Sequence, residues 1–253
     1  MDTYHVDMDS CAPMVLDGLI DNARGPAHSR DMSKPRIFLI HALRDSIAPA
    51  IAAMQAGWPE ARVANLLDDS LSADLAARHG VLEDAMIDRF VTLGRYARAA
   101  GADGILFTCS AFGVAIDEVK ADMRMVPVLK PNEAGLEAAL EAGKRIALLA
   151  TFPATIPSMT HELETLARAR GIVPTIMTHV VDGALAAVQG GDAARHDRLI
   201  ADAAQTFASA DSIVLAQFSM ARAAAAIPGG GSARIITTPD SAVAKLRRLV
   251  EAG

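Results

Sequence analysis

Cysteine is scarce in this chain of 253 residues: there are two, Cys11 and Cys109, far apart and in unlike contexts. Neither a disulfide framework nor a CxxC metal knuckle can be built from them, and a reducing cytoplasm is the expected compartment. Aromatic residues make up only 4% of the sequence while hydrophobic residues make up 51%. The core must therefore be aliphatic, as it is where helices cover a buried parallel sheet. Basic residues are outnumbered, 24 Lys and Arg against 30 Asp and Glu for a net charge of -6, which leaves no basic footprint for nucleic acid. No apolar run approaches the roughly 18 to 20 residues that span a bilayer. The acidic first residues lack the basic and apolar regions of a secretory signal, so neither a membrane nor an extracellular role is expected.

Residues 1–33 are polar and irregular, with a second methionine, Met32, just before the first strand-like run. They read as an N-terminal extension, poorly ordered or preceding the true start. From Arg36 the pattern becomes strand and helix in alternation. Strands are expected at 36–43, 61–67, 101–110 and 125–130, with helices at 46–57, 82–101 and 132–143. A second series opens at Lys144: strands at 144–152, 173–180, 211–220 and 234–238, and helices at 157–171, 182–191, 196–210 and 241–252.

The two series repeat one another. Ala102-Asp103-Gly104-Ile105-Leu106-Phe107 lies 108 positions before Ala210-Asp211-Ser212-Ile213-Val214-Leu215, and Arg36-Ile37 lies 109 before Arg145-Ile146. The expected fold is α/β with two pseudo-symmetric lobes, each a parallel sheet flanked by helices, and an active-site cleft between them. Residues 34–142 with 233–253 are expected to form the first lobe and 143–232 the second.

In open parallel sheets ligands collect outside the carboxyl ends of the strands, so the residues that terminate strands are the candidates for chemistry. These are His41 after Phe-Leu-Ile, Thr108-Cys109-Ser110 after Ile-Leu-Phe, Thr151 after Leu-Leu-Ala, and Gln217-Phe218-Ser219 after Val-Leu-Ala. Cys109 is the sharpest: a thiol at a strand end can receive turn N–H groups that favour thiolate, although an unpaired cysteine is commonly an inert core residue. His41 could orient a carboxylate or the thiol, or be a satisfied buried imidazole. Thr151 and Thr155 stand where helix amides favour an anion, or simply cap that helix.

Other polar clusters carry less. Asp68, Asp69 and Ser70 lack the third spaced ligand of a metal site and read as a polar loop or helix cap. His179 and His196 lack partner spacing for zinc, and Gly229-Gly230-Gly231 matches no phosphate-binding loop and reads as a turn. No metal and no cofactor are implied.

Taken together, the lobe-opening strands, Phe107-Thr108-Cys109-Ser110-Ala111-Phe112-Gly113 and Leu215-Ala216-Gln217-Phe218-Ser219-Met220-Ala221 resemble the aspartate/glutamate/hydantoin racemase superfamily over about residues 35–250. That superfamily also includes maleate isomerase and arylmalonate decarboxylase. The resemblance implies a cofactor-independent enzyme in which thiols at strand ends face a small carboxylate across the cleft, and it implies a homo-oligomer. Cys109 matches the first thiol position, whereas the second falls on Gln217, whose amide does not titrate. By this resemblance Cys109 is the catalytic residue, and His41, Thr108, Ser110, Thr151, Thr155, Gln217, Phe218 and Ser219 bind substrate. The expected function is a racemase or isomerase acting on an amino acid, hydantoin or dicarboxylate; a one-thiol decarboxylase and a non-catalytic carboxylate-binding protein are the alternatives.

Overall fold

The computed structural model describes residues 34–253 apart from Ala154 and Gly230. The expectations for residues 1–33, Cys11 and Gly230 lie outside the described residues.

The first half runs β1 (Arg36–His41), α1 (Ile47–Gly57), β2 (Arg62–Leu67), α2 (Ser70–Ala77), α3 (Asp84–Ala99), β3 (Gly104–Phe107), α4 (Gly113–Asp122), β4 (Val128–Leu129) and α5 (Glu133–Ala142). The second runs β5 (Arg145–Ala150), α6 (Thr155–Ala169), β6 (Thr175–Val180), α7 (Ala184–Gln189), α8 (Ala193–Gln205), β7 (Ser212–Leu215), β8 (Arg234–Thr237) and α9 (Thr238–Ala252). Two four-stranded sheets result, in the orders β2-β1-β3-β4 and β6-β5-β7-β8. All six strand pairings are parallel, and equivalent strands occupy equivalent places.

Alternation along the central strands sets the layers, because successive side chains of a strand face opposite ways. Phe38 and Ile40 of β1 pack with Ile105 and Phe107 of β3 against α2, α3 and α4, where Phe90 stacks on Phe107 at 5.5 Å between ring centroids. Ile37, Leu39 and Leu106 face the other way, onto α1 and α9. In the second sheet Ile146, Leu148 and Val214 meet α5 and α6, and Ala147, Leu149 and Leu215 meet α7 and α8. Both faces of each sheet are thus covered, which is why these strands read as unbroken apolar runs.

The last helix of each half crosses to the other half's sheet. α5 follows β4 yet packs through Leu136, Ala139 and Leu140 against Ile146, Val214 and Ile236; α9 follows β8 yet packs through Ala242, Val243 and Leu246 against Ile37, Leu39 and Leu106. The strand expected to return to the first lobe from residue 233 instead pairs with β7, Ser212 opposite Arg234 through Leu215 opposite Thr237. Its Ile236 fits the second core, so only α9 lies on the first sheet.

The two crossing helices are joined by charge. Lys245 of α9 holds Glu133 and Glu137 of α5 at 2.7 and 2.8 Å, and Lys120 of α4 also pairs with Glu133. Burial pushes the Glu133 carboxyl up, but the ammonium groups of Lys120 and Lys245 outweigh it and hold the group below its ordinary range. Among the described residues no helix is long and apolar enough to cross a membrane.

The exchange of α9 makes a stability prediction. Leu246 is fully buried among first-lobe residues, so Leu246→Ala should destabilise the protein by about 2 to 5 kcal/mol in urea unfolding. A change within a few tenths of a kcal/mol would mean that α9 does not belong to that core.

Candidate active site

The carboxyl edges of the two sheets face each other. The turn after β1 (residues 44–46) and α1 touch the 3-10 helix that follows β7 (residues 218–226), while α6, which follows β5, touches the 3-10 turn that follows β3 (residues 110–112). One contact is explicit: the Ser158 hydroxyl on α6 donates to the Ser110 carbonyl at 3.1 Å.

Cys109 and Gln217 hold equivalent posts on these edges. Each lies two residues past its strand, in extended conformation, immediately before a 3-10 helix; φ and ψ are -117° and 121° for Cys109 and -134° and 146° for Gln217. Both are partly exposed. The crowded surroundings of the thiol favour its neutral form, and the Ala111 N–H and Ser72 hydroxyl pull the other way. Desolvation wins, so Cys109 titrates above its ordinary value of 9.0. That reverses the sequence-based expectation of an activated thiolate: the turn does supply an N–H, but one N–H and one hydroxyl do not offset the lost water.

His41 and Thr108 are engaged with protein groups. Both are buried. The Nε2 of His41 donates to the Asn65 side-chain oxygen at 2.9 Å, which leaves Nδ1 to accept from the Thr108 hydroxyl at 2.9 Å, with the Ser46 hydroxyl 3.2 Å away. Ser46 and Thr108 oxygens stand 2.9 Å apart, and Ser46 also donates to the Leu43 carbonyl. This clamp ties the ends of β1 and β3 together and fixes the residue immediately before Cys109. Burial lowers the His41 pKa from 6.5, with the Asn65 contact only partly restoring it, so the ring is neutral at pH 7.

On the second lobe Gln217 is oriented by Thr151, whose N–H and hydroxyl both donate to the Gln217 side-chain oxygen, at 2.6 and 2.9 Å. That oxygen is consumed, and the two N–H groups of the amide remain as donors. Thr155 begins α6 and is buried, and Ser219 is partly exposed in the 3-10 helix. Phe218 is not a ligand contact by its ring, which is buried with Leu39, Leu106, Met54 and Val243 in the first lobe's core and pins the seam between lobes.

Ser72 lies on α2, a helix with no expected counterpart between the strand at 61–67 and the helix at 82–101. Asp68 accepts from the Ser70 N–H and binds Arg89 at 2.6 Å, and Asp69 binds Arg44 at 2.8 Å, so the acids anchor the start of a helix that buries Leu71 and Leu75. Among the described residues no three His, Cys, Asp or Glu side chains cluster as potential metal ligands. His179 of β6 lies tilted against Phe207, with ring centroids 5.9 Å apart, and buried His196 bonds Asp197 at 2.9 Å. A cavity of about 310 Å³ between α8, β7 and β8 has no titratable residue in its wall and is not lined by any of the strand-end residues.

The sequence model of the Asp/Glu/hydantoin racemase family matches residues 71–246, more than half of the chain. The chain belongs to that family. A glutamate racemase from Bacillus anthracis has the same fold with a TM-score of 0.65 and 14% identity, covering 87% of this chain and 83% of that one. An allantoin racemase from Klebsiella pneumoniae aligns with a TM-score of 0.64 and 19% identity, covering 87% and 89%. An arylmalonate decarboxylase variant aligns with a TM-score of 0.59 and 16% identity, covering 87% and 94%. At these identities the likeness is one of fold. No curated protein matches in sequence.

Two predictions follow from the family member's own geometry. Because the folded His41 ring binds a proton less readily than the unfolded one, the unfolded chain takes up more protons below pH 6.5, and stability present above that pH is lost as pH falls through the window beneath it. Urea unfolding at pH 7 and pH 5.5 should show a smaller loss in His41→Gln than in wild type; an equal loss would remove His41 from the account. In a Cys11→Ser background, Cys109 alkylation by iodoacetamide should rise with pH to a midpoint above 9.0, and Ser72→Ala should move it higher. A midpoint near 7 would contradict the desolvated thiol.

Proposed function

We propose that this member of the racemase and isomerase family is a cofactor-independent enzyme that acts on a small carboxylate, with Cys109 as its one proton-transferring thiol working on a single face of the substrate. The observation that carries the reading is the pairing of Cys109 with Gln217 at equivalent strand ends. Family membership supports the reaction class. Ser110, Gln217 and Ser219 are the donors proposed for the substrate's carboxylate oxygens, with Thr151 spending its own N–H and hydroxyl on the Gln217 oxygen and so leaving the amide N–H groups of Gln217 free. Donors aimed at developing negative charge would stabilise an enediolate-like intermediate. His41, Thr108 and Ser46 act one step back, as positioning residues.

The raised Cys109 pKa gives the step a direction. A thiol that is neutral at pH 7 is a proton donor at rest. Where loss of carbon dioxide leaves the electron pair on carbon, its S–H proton would go to that carbon and water would reprotonate the thiolate. Where a C–H bond must break first, the minor thiolate form would take that proton and return one as S–H on the same face. A two-base racemase needs a second exchanging group on the opposite face, which Gln217 cannot be. The same observation favours one further reading, loss of carbon dioxide from a substituted malonate, where the C–C electron pair stays on carbon and a single proton delivery completes the reaction.

With a panel of small α-substituted carboxylates and malonates in D2O, wild type should incorporate deuterium at the α-carbon of at least one. Cys109→Ala, shown to be folded by circular dichroism, should lose turnover at least about 100-fold, the scale of general acid catalysis. Release of carbon dioxide would select the lyase reading. Ligand-induced stabilisation that survives Cys109→Ser without any turnover would leave a binding protein in place of an enzyme.

A further inference from the structure

Four of the large apolar side chains exposed among the described residues sit where strands leave the carboxyl edges or just beyond: Leu43, Leu67, Val114 and Phe152. Leu43 and Phe152 form a pair. Each lies two residues past the end of its lobe's central strand, β1 or β5, in the same place in the repeat that relates Arg36 to Arg145. Their exposures are 45% and 44%. Both flank the seam: Leu43 directly precedes the turn that touches the 3-10 helix after Gln217, and Phe152 lies three residues before α6, which touches the turn after Cys109.

Charge at the same edge is already spent. Arg44, the first cation after β1, binds Asp69 at 2.8 Å; Lys130, the first after β4, binds Asp117 at 3.0 Å; Arg222, the first after β7, binds Asp197 at 3.0 Å. The groups proposed to meet the substrate, the Cys109 thiol and the donors of Ser110, Gln217 and Ser219, are neutral. A second carboxylate on a substrate's side chain would lose water at this edge and meet no unpaired cation among these groups. An alkyl or aryl group would instead cover Leu43 and Phe152 and remove apolar surface from water on both sides.

We infer that Leu43 and Phe152 are specificity-determining residues that form an apolar rim, and that the substrate is a carboxylate whose α-substituent is apolar, alkyl or aryl, not acidic like the side chains of aspartate and glutamate. This rests on the carboxylate-binding reading of the Cys109 site. The two exposed side chains can be changed without touching the core.

The test uses full-length Cys11→Ser protein and reads how acetate, phenylacetate and succinate protect Cys109 from iodoacetamide, a matched set with no substituent, an aryl substituent and an acidic one. Phenylacetate should half-protect at a concentration at least about tenfold below that of acetate or succinate, as burying an aryl face demands. Leu43→Ala and Phe152→Ala should each narrow the phenylacetate-to-acetate ratio several-fold, and Val173→Ala, at an exposed site just before β6, should not. Succinate protecting as well as phenylacetate, or a ratio unmoved by either variant, overturns the inference while leaving the carboxylate site intact. Protection by none of the three overturns the carboxylate site itself, and the inference with it.

Discussion

A parallel sheet buried on both faces leaves its chain little choice about where chemistry can go. Every central-strand side chain in this protein is committed to packing, Ile37, Leu39 and Leu106 on one side and Phe38, Ile40 and Phe107 on the other. Polar groups can therefore gather only where strands stop. Because parallel strands all stop at the same edge, and because the two edges face each other, the residues two past β3 and β7, Cys109 and Gln217, hold equivalent posts there. The crossing of α5 and α9 holds that arrangement: each lobe's core is completed by a helix from the other, and Lys245 with Glu133 and Glu137 ties the two helices at their contact. Phe218 adds an apolar pin at the seam.

Within that frame the electrostatics follow from burial. The thiol of Cys109 gains an N–H and a hydroxyl but loses more water than they replace, and so stays protonated. The imidazole of His41 is likewise kept neutral, and its two hydrogen bonds serve to hold Thr108 and Asn65 in place. A neutral acid on one side and a non-titrating amide on the other make an asymmetric site from a symmetric fold. That asymmetry is what separates a one-sided proton delivery from a two-base exchange.

Much of this was legible in the sequence because parallel strands write themselves as apolar runs ending in a polar residue. The repeat, the two sheets, Cys109, Thr151 and Gln217 could all be located from that signal. What could not be read depends on partners distant in the chain. His41 and Thr108 have the residue types of ligands, and only the approach of Asn65 and Ser46 makes them a clamp. Phe218 follows a site residue but turns into the other lobe's core. Ser72 sits on a helix disguised by Asp68 and Asp69, whose partners Arg89 and Arg44 lie 20 or more residues away in sequence. The strand at Arg234–Thr237 joins β7 and not the first sheet, a choice that a short Ile-Ile run carries no mark of.

The central claim is that one thiol, on one face of the substrate, moves the proton. It is tested most directly by running the reaction in D2O on a prochiral carboxylate that the protein turns over and determining the configuration of the deuterated product by NMR with a chiral shift reagent. The account predicts deuterium on a single face, the same face throughout, and none in Cys109→Ala. Deuterium on both faces at comparable rates, or retained incorporation without Cys109, would show that another group exchanges protons with the substrate and would contradict the single-thiol account.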